Sequence, residues 1–238
     1  MSSKSLAYLY KLNFGVMNKF ICFSFFFFSI STMLTAQEII NDATLTYSVS
    51  VQSAKDSNKN KLFEGASYKL YLKANISRSD LKTTMGSEST IYDGKEKKGV
   101  ILKEYSNQKL MILMSESNWI EKNTSSHDLN FNVEDKIYTV NGFQCKKAAA
   151  TSSKMELITV FFSPSLLLNN NNYNNCFSKL NGLPVKYERE LSDGTTYIYF
   201  LDNVNYDIVS SSKFEIPKSG YRVMNYEEVK KIEKERNR

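Results

Sequence analysis

The chain has 238 residues, of which 24% are charged and 13% aromatic, and its formal net charge is +6. Three lysines and no acidic residue precede Gln37, so the remainder carries only +3 with both signs interspersed, which argues against the clustered basic face of a nucleic-acid-binding protein. About 200 residues follow position 36, enough for one domain with its own hydrophobic core.

The N-terminus has the composition of a secretory signal peptide. Lys19 precedes an apolar run from Phe20 to Leu34 that is interrupted only by Ser and Thr, and Ala36 supplies a small residue for cleavage. The run is shorter than the roughly 20 apolar residues of a membrane span. We therefore expect residues 1–36 to be a signal peptide with any upstream residues, and an exported, periplasmic or secreted protein that begins near Gln37. Met1 and Met17 are both candidate starts.

Alternation of apolar and polar residues predicts a succession of β-strands after the signal peptide. The first strand alternates Leu45, Tyr47 and Val49 with Ser and Thr, and a second covers residues 67–76. The polar stretch 54–65 between them is expected to be a long hairpin loop. The remaining predicted strands are residues 87–92, 99–105, 109–114, 136–140, 143–150, 155–162, 185–191, 195–201 and 207–214.

The connections carry fewer signals. Asn141-Gly142 and Asp193-Gly194 predict turns. Residues 115–131, with the only tryptophan at position 119, are expected to form a loop with room for a helical turn. The asparagine-rich tract 169–175 belongs to a connection that contains a short helix near residues 173–180.

This pattern of strands predicts an all-β protein with one or two short helices. Because strands that follow one another along the chain pair as hairpins, we expect one antiparallel β domain over residues 37–222. Residues 223–238 are expected to form a short charged C-terminal helix or tail, in which Asn225 can cap the helix.

No residue pattern indicates catalysis. His127 lies in a polar segment without a nucleophile motif, and one histidine with two distant cysteines is too few for a zinc site. Glu188 and Glu190 share one face of a strand and do not form the facing pair that a glycosidase needs. We assign no catalytic, cofactor-binding or metal-ligating residue, and expect a protein that is not an enzyme and needs no cofactor.

Cys145 and Cys176 remain after removal of the signal peptide. A disulfide between them would close a loop of about 30 residues and restrict the unfolded chain by roughly 3 kcal/mol. The residues alone allow either a disulfide or two buried thiols, and our expectation slightly favours the thiols.

Three motifs in order resemble a known family. These are Gly142-Phe143-Gln144-Cys145-Lys146-Lys147-Ala148, then Gly182-Leu183-Pro184, then Phe214-Glu215-Ile216-Pro217. The order resembles a family of exported Gram-negative proteins defined as a domain of unknown function, and is distantly similar to the GLPGLI family; it departs at Ser163, where an aromatic residue is usual. The resemblance implies the curved, half-open antiparallel barrel of the LolA-like fold, which holds an apolar ligand on its concave face. It implies no catalytic residue.

Several predicted strands are apolar on both faces, namely residues 110–114, 157–162 and 197–201. The second face of such a strand needs a cover, which a helix, a second sheet or a bound apolar ligand can supply. The leading hypothesis is a non-enzymatic periplasmic protein that binds a lipid, an acyl chain or a lipoprotein. The alternative is a structural or protein-interaction component of the cell envelope, with an envelope protein as its partner.

Overall fold

The computed structural model describes residues 37–127, 129–170, 173 and 175–236, all within the compact unit Gln37–Arg238. The predicted signal peptide, residues 1–36, lies outside the described residues. The strands are β1 (Glu38–Ile40), β2 (Asp42–Gln52), β3 (Ala66–Lys73), β4 (Ile76–Thr83), β5 (Gly86–Asp93), β6 (Lys98–Tyr105), β7 (Gln108–Met114), β8 (Asn132–Val140), β9 (Phe143–Thr151), β10 (Leu157–Ser163), β11 (Leu166–Leu168), β12 (Leu183–Glu190), β13 (Thr196–Asn205) and β14 (Arg222–Asn225). The α-helices are α1 (Ser57–Leu62), α2 (Glu116–His127) and α3 (Tyr226–Arg236), and 3-10 turns cover Asn175–Phe177 and Ser211–Phe214.

Twelve of the described strands form one curved sheet that does not close, in the order β14-β7-β6-β5-β4-β3-β2-β13-β12-β10-β9-β8. Neighbouring strands are antiparallel except β14 and β7, which are parallel. β1 and β11 form a separate parallel pair. The predicted all-β class with a curved, half-open antiparallel sheet is confirmed.

One face of the sheet, here called the inner face, carries the main core. Leu45 of β2 lies opposite Leu70 of β3, and both side chains are fully buried. Tyr47 lies opposite Tyr68 on the same face and donates a 2.9 Å hydrogen bond to the Pro184 carbonyl. Because side chains alternate across a strand, the serines and threonines between them face the other way, as the sequence pattern predicted.

Two segments, here called the inner cover, lie over the inner face. The first is α2, whose Trp119 stacks on Tyr92 with ring centres 4.1 Å apart. The second is the connection between β10 and β12, from which Phe177 and Leu180 pack on the buried core of β10. The two segments also contact each other, so together they shield much of the apolar face from water.

Residues 206–221, here called the outer strap, cross the opposite face. Lys73 donates to the Val209 carbonyl at 2.8 Å, and Arg78 donates to the Lys213 carbonyl at 2.8 Å. Tyr221 at the end of the strap packs against a small cluster of buried side chains on β5 to β7. The strap thereby brings β14 to the edge of the sheet beside β7 and places α3 next to α2.

Two predicted loops contain helices: the loop prediction for 54–65 was wrong, and the prediction for 115–131 allowed only a helical turn where a helix of 12 residues forms. The stretch 54–65 contains α1, where the Asp56 carboxylate accepts from the backbone N–H of Asn58 at 3.0 Å and caps the helix. The stretch 115–131 contains α2, at whose start the Ser115 hydroxyl accepts from the N–H of Asn118. Short polar helices of this kind bury too few apolar residues to show a helical period in the sequence.

The predicted strand 67–76 ends early. Ala74 has φ +47° and starts a two-residue turn, after which β4 runs back along β3. Segment 207–214 is also not a strand, since it belongs to the outer strap and includes a 3-10 turn capped by Ser210. The turn predictions are confirmed, with positive φ at Asn141, Gly142 and Gly194.

Gly182 of the Gly-Leu-Pro motif lies very close to the backbone at Ser163 of β10. A Cβ added there would lie 2.5 Å from the Ser163 carbonyl oxygen, whereas one added at Gly99 would meet only the flexible end of Met114 at 2.8 Å. We expect Gly182→Ala to lower the free energy of unfolding by about 2–3 kcal/mol and Gly99→Ala by less than about 1 kcal/mol, measured by urea unfolding. Equal losses would contradict this packing role.

Candidate functional site

A cavity of about 590 Å³ lies between the inner face and the inner cover. This volume falls within the range of roughly 300–1,000 Å³ that is typical of small-molecule sites. The sheet contributes Tyr68, Ser79, Leu81, Glu88, Thr90, Ile158, Tyr187, Arg189, Tyr197 and Tyr199; α2 contributes Trp119, Lys122 and Asn123; the other connections contribute Lys154, Glu156, Tyr173, Cys176, Phe177 and Leu191. Aromatic rings therefore form much of the wall, and charged groups are concentrated at a few positions.

The four sheet tyrosines Tyr68, Tyr187, Tyr197 and Tyr199 form what we call the tyrosine floor. Tyr187 and Tyr199 stack nearly parallel with ring centres 4.4 Å apart. Tyr68 meets Tyr199 edge-on at 5.7 Å, and Phe177 from the inner cover meets Tyr187 at 4.8 Å. Such stacked and edge-on contacts hold the rings in fixed positions and present flat apolar surface to the cavity.

Three tyrosines of the floor, Tyr68, Tyr187 and Tyr199, are uncharged at neutral pH. Burial raises the pKa of Tyr199 to about 12, and burial raises the pKa values of Tyr68, Tyr173 and Tyr187 further above the ordinary value of a phenol. The hydroxyls therefore remain protonated and can donate or accept hydrogen bonds without carrying charge. This combination suits a ligand that is mainly apolar and has some polar atoms.

Two acidic groups at the cavity already have partners. The Glu156 carboxylate, 8% exposed, accepts from Arg189 Nε at 2.8 Å and Nη2 at 2.5 Å, and the Ser152 hydroxyl donates to the same oxygen at 3.4 Å. Glu88 forms an ion pair with Lys103 across β5 and β6 at 3.2 Å. Both carboxylates are thus held in ion pairs with cationic side chains.

Two lysines from different segments line the same cavity. Lys122 projects from α2, with its ammonium 5.7 Å from the Trp119 ring centre, and Lys154 precedes β10. Both residues are exposed at the cavity rim. Loss of water around the Lys122 ammonium nevertheless lowers its pKa; the Glu88 carboxylate raises this pKa by a smaller amount, and the Lys103 ammonium lowers it further.

The C-terminal helix holds α2 in place. Asn118 of α2 donates to the Glu227 carboxylate at 2.8 Å, and Lys230 forms an ion pair with Glu121. Tyr226 and Val229 of α3 also pack against the cluster that contains Trp119. A helix that appears from its sequence to be a charged tail thus supports one wall of the cavity.

The aromatic residues predicted on strands divide between the two faces. Those of the tyrosine floor line the cavity, whereas Tyr71 lies under Lys213 of the outer strap and Phe161 lies under Lys186. The register decides this division, since Tyr187 and Tyr199 lie directly opposite each other on β12 and β13.

The other predicted positions lie outside the cavity or contribute little to it. His127 is the last residue of α2, and its side chain is outside the described set. Glu188 and Glu190 lie on the outer face, beside a shallow depression of that face. Their strand β12 is internal to the sheet, because it lies between β10 and β13.

The two cysteines belong to separate clusters. Cys145 is fully buried in the main core and burial raises its pKa to about 11, while burial raises the pKa of Cys176 beside the cavity to about 12. No disulfide joins Cys145 to Cys176. The thiol state in solution stays a prediction.

Sequence reasoning missed the charged groups of the rim. Lys122 lies in a predicted loop, Lys154 between two predicted strands and Glu156 at a predicted strand end, and only the fold brings them to one cavity. Tyr173 interrupts the asparagine tract of the connection between β10 and β12. This interruption was the one sequence signal that the tract contributes a ring to the core. Across the described residues, no group of three or more His, Cys, Asp and Glu side chains is arranged to hold a metal ion.

No protein-family model and no curated protein matches the sequence. Among solved structures, PNGF-II matches with a TM-score of 0.48 and 13% identity over 81% of this chain, which spans only 33% of the PNGF-II chain. MucB matches with a TM-score of 0.40 and 11% identity, and the match covers 77% of this chain and 60% of the MucB chain. A LolA superfamily protein from Nitrosomonas europaea matches with a TM-score of 0.35 and 8% identity over 74% of this chain and 90% of its own. Every TM-score lies below 0.5, so none assigns a function, and the family resemblance of the motifs stays a prediction.

The support of α2 by α3 gives a testable pair of substitutions. Val229 is half-buried against the Trp119 cluster, whereas Ile232 on the same helix is 43% exposed. We expect Val229→Ser to lower the free energy of unfolding by roughly 1 kcal/mol and to shift Trp119 emission to longer wavelength. Ile232→Ser should change stability by no more than about 0.5 kcal/mol. Identical behaviour of the two variants would show that α3 does not support α2.

Proposed function

We propose that this chain is an exported, non-enzymatic protein that binds an apolar ligand, such as a lipid or an acyl chain, in the cavity under the inner cover. The observation that carries the proposal is the tyrosine floor. Fixed, uncharged aromatic rings line a cavity of ligand size that side chains do not fill. A protein that needed only a packed core would gain stability by filling this space.

The wall chemistry supports binding over catalysis. The cavity carboxylates are engaged by Arg189 and Lys103, and the Cys176 thiol has a raised pKa that disfavours a nucleophilic thiolate. Activated nucleophiles and general bases need the opposite arrangement, with a free base beside the reacting group. We therefore propose that the protein holds its ligand without transforming it.

The proposed site of action is the periplasm or the cell exterior, and it rests on the signal-peptide pattern before Gln37. Within the described part of the chain, no helix has both the length and the apolar character of a membrane span. A lipid or a lipoprotein of the envelope is the class of ligand available there.

The alternative function, a protein-interaction component of the envelope, has one specific observation in its favour. β8 is an edge strand of the sheet, and its Val133 and Ile137 are 41% and 50% exposed. Against it, the register of β8 is broken between those two residues, and Glu134, Asp135 and Lys136 occupy the break. Bulges and charges of this kind discourage the pairing of another strand.

The single tryptophan allows a direct test with N-phenyl-1-naphthylamine, a neutral apolar dye that fluoresces when it leaves water. Because Trp119 lines the cavity, bound dye should quench tryptophan emission through energy transfer and should itself brighten. We expect saturable binding by fluorescence titration. Trp119→Phe should remove the transfer and retain the brightening.

Two matched substitutions locate the dye. Thr90 points into the cavity and Thr159 lies on the outer face, and both are half-buried. Thr90→Phe should weaken dye binding roughly tenfold, since the added ring occupies ligand space, and Thr159→Phe should leave it unchanged. Absence of dye binding by the folded wild-type protein, or equal binding by both variants, would refute the proposed site.

A further inference from the structure

The charges that line the cavity do not balance once existing ion pairs are set aside. Arg189 neutralises Glu156 at 2.5 Å, and Lys103 neutralises Glu88 at 3.2 Å. These two pairs contribute no net charge. The cationic groups left over among the lining residues are Lys122 and Lys154.

Within the described residues, neither lysine ammonium lies within 4.0 Å of a carboxylate. The groups near Lys122 are the Trp119 ring and the already paired Glu88 and Lys103. Lysines elsewhere on the sheet commonly have partners, as Lys147 does with Glu134 at 2.9 Å and Lys186 with Glu188 at 2.7 Å. Among the described residues, Lys122 and Lys154 therefore differ from these two lysines in having no carboxylate partner.

Uncompensated cations at the rim of a cleft attract anions. Low-dielectric walls concentrate the field in the opening, and the tyrosine floor supplies such a wall. The partial loss of hydration at Lys122, which lowers its pKa, also means that an incoming anion would restore stabilisation that water no longer provides. A cationic ligand would find no carboxylate there that is not already paired.

We propose that the ligand is an anionic amphiphile, whose carboxylate or phosphate head is bound at the cavity rim that carries Lys122 and Lys154 and whose apolar chain lies on the tyrosine floor. This inference rests on the proposed function and specifies the class of ligand. Binding an anionic head by two ammonium groups uses charge-assisted hydrogen bonds, the stronger kind in proteins. The rim selects the head group and the floor accepts the chain.

The test is displacement of bound N-phenyl-1-naphthylamine by three twelve-carbon compounds, each below its critical micelle concentration. Dodecanoate and dodecyl phosphate carry the two anionic heads, and dodecanol has the same chain without charge. We expect both anions, or one of them, to displace the dye at a concentration at least tenfold lower than dodecanol does. The order of the two anions distinguishes a carboxylate ligand from a phosphate ligand.

A double substitution assigns the effect to the rim. Lys122→Gln with Lys154→Gln should bring the displacing concentration of the preferred anion close to that of dodecanol, with both concentrations measured on this variant and corrected for its own affinity for the dye. The matched control is Lys69→Gln with Lys82→Gln, which removes the same charge from exposed positions on the outer face of β3 and β4. This control should keep the preference for the anion.

The outcomes separate the two proposals. Dye binding with equal displacement by dodecanol and both anions, or an anion preference that survives the rim substitution, would overturn the anionic head while the apolar site stands. Failure of the wild-type protein to bind the dye and all three compounds would overturn the proposed function and this inference together.

Discussion

The need to cover the inner face of the sheet determines most of this structure. A single curved sheet with Leu45, Leu70 and their neighbours on one side exposes too much apolar surface to be stable in water. Over Leu45 and Leu70 the cover includes apolar side chains of β1 and β11, namely Ile40, Leu166 and Leu168. The rest of the cover is mostly polar: α2 supplies one buried ring, Trp119, and the part of the β10–β12 connection after β11 supplies Phe177 and Leu180. Because α2 and the connection that carries Phe177 bring few apolar side chains, they shield the face but do not fill the space beneath them. The cavity is this unfilled space.

The small number of apolar side chains on α2 also explains why distant parts of the chain pack against this helix. A polar helix packs weakly through its own side chains, so it needs the ion pair of Lys230 with Glu121 and the packing of Val229. The outer strap delivers α3 to that position by crossing the opposite face of the sheet. One consequence is that the wall of the cavity bearing Lys122 depends on residues at the far end of the sequence.

Much of the sheet can be predicted from the sequence, because β-strands with one buried face carry a period of two. β2, β12 and β13 and the turns at Asn141-Gly142 and Asp193-Gly194 follow from that pattern and from turn chemistry. The predictions failed where tertiary contacts rather than local pattern decide the structure, as in α2, in the turn at Ala74 and in the outer strap. The tyrosine floor could be predicted only in part. The sequence shows many tyrosines on predicted strands, but only the strand register tells which of them share a face. The pair of rim lysines could not be predicted, since Lys122 and Lys154 lie 32 positions apart in segments whose sequence shows no strand or helix pattern.

The central claim is that the cavity holds an amphiphilic ligand. Native mass spectrometry of the exported protein, purified from its own cells without detergent or organic solvent, tests it most directly. The account predicts a non-covalent adduct that leaves on collisional activation as a small anion with an apolar chain, with lower occupancy in Thr90→Phe than in Thr159→Phe. The bare polypeptide mass alone, from protein that also takes up no added dodecanoate or dodecyl phosphate, would contradict it.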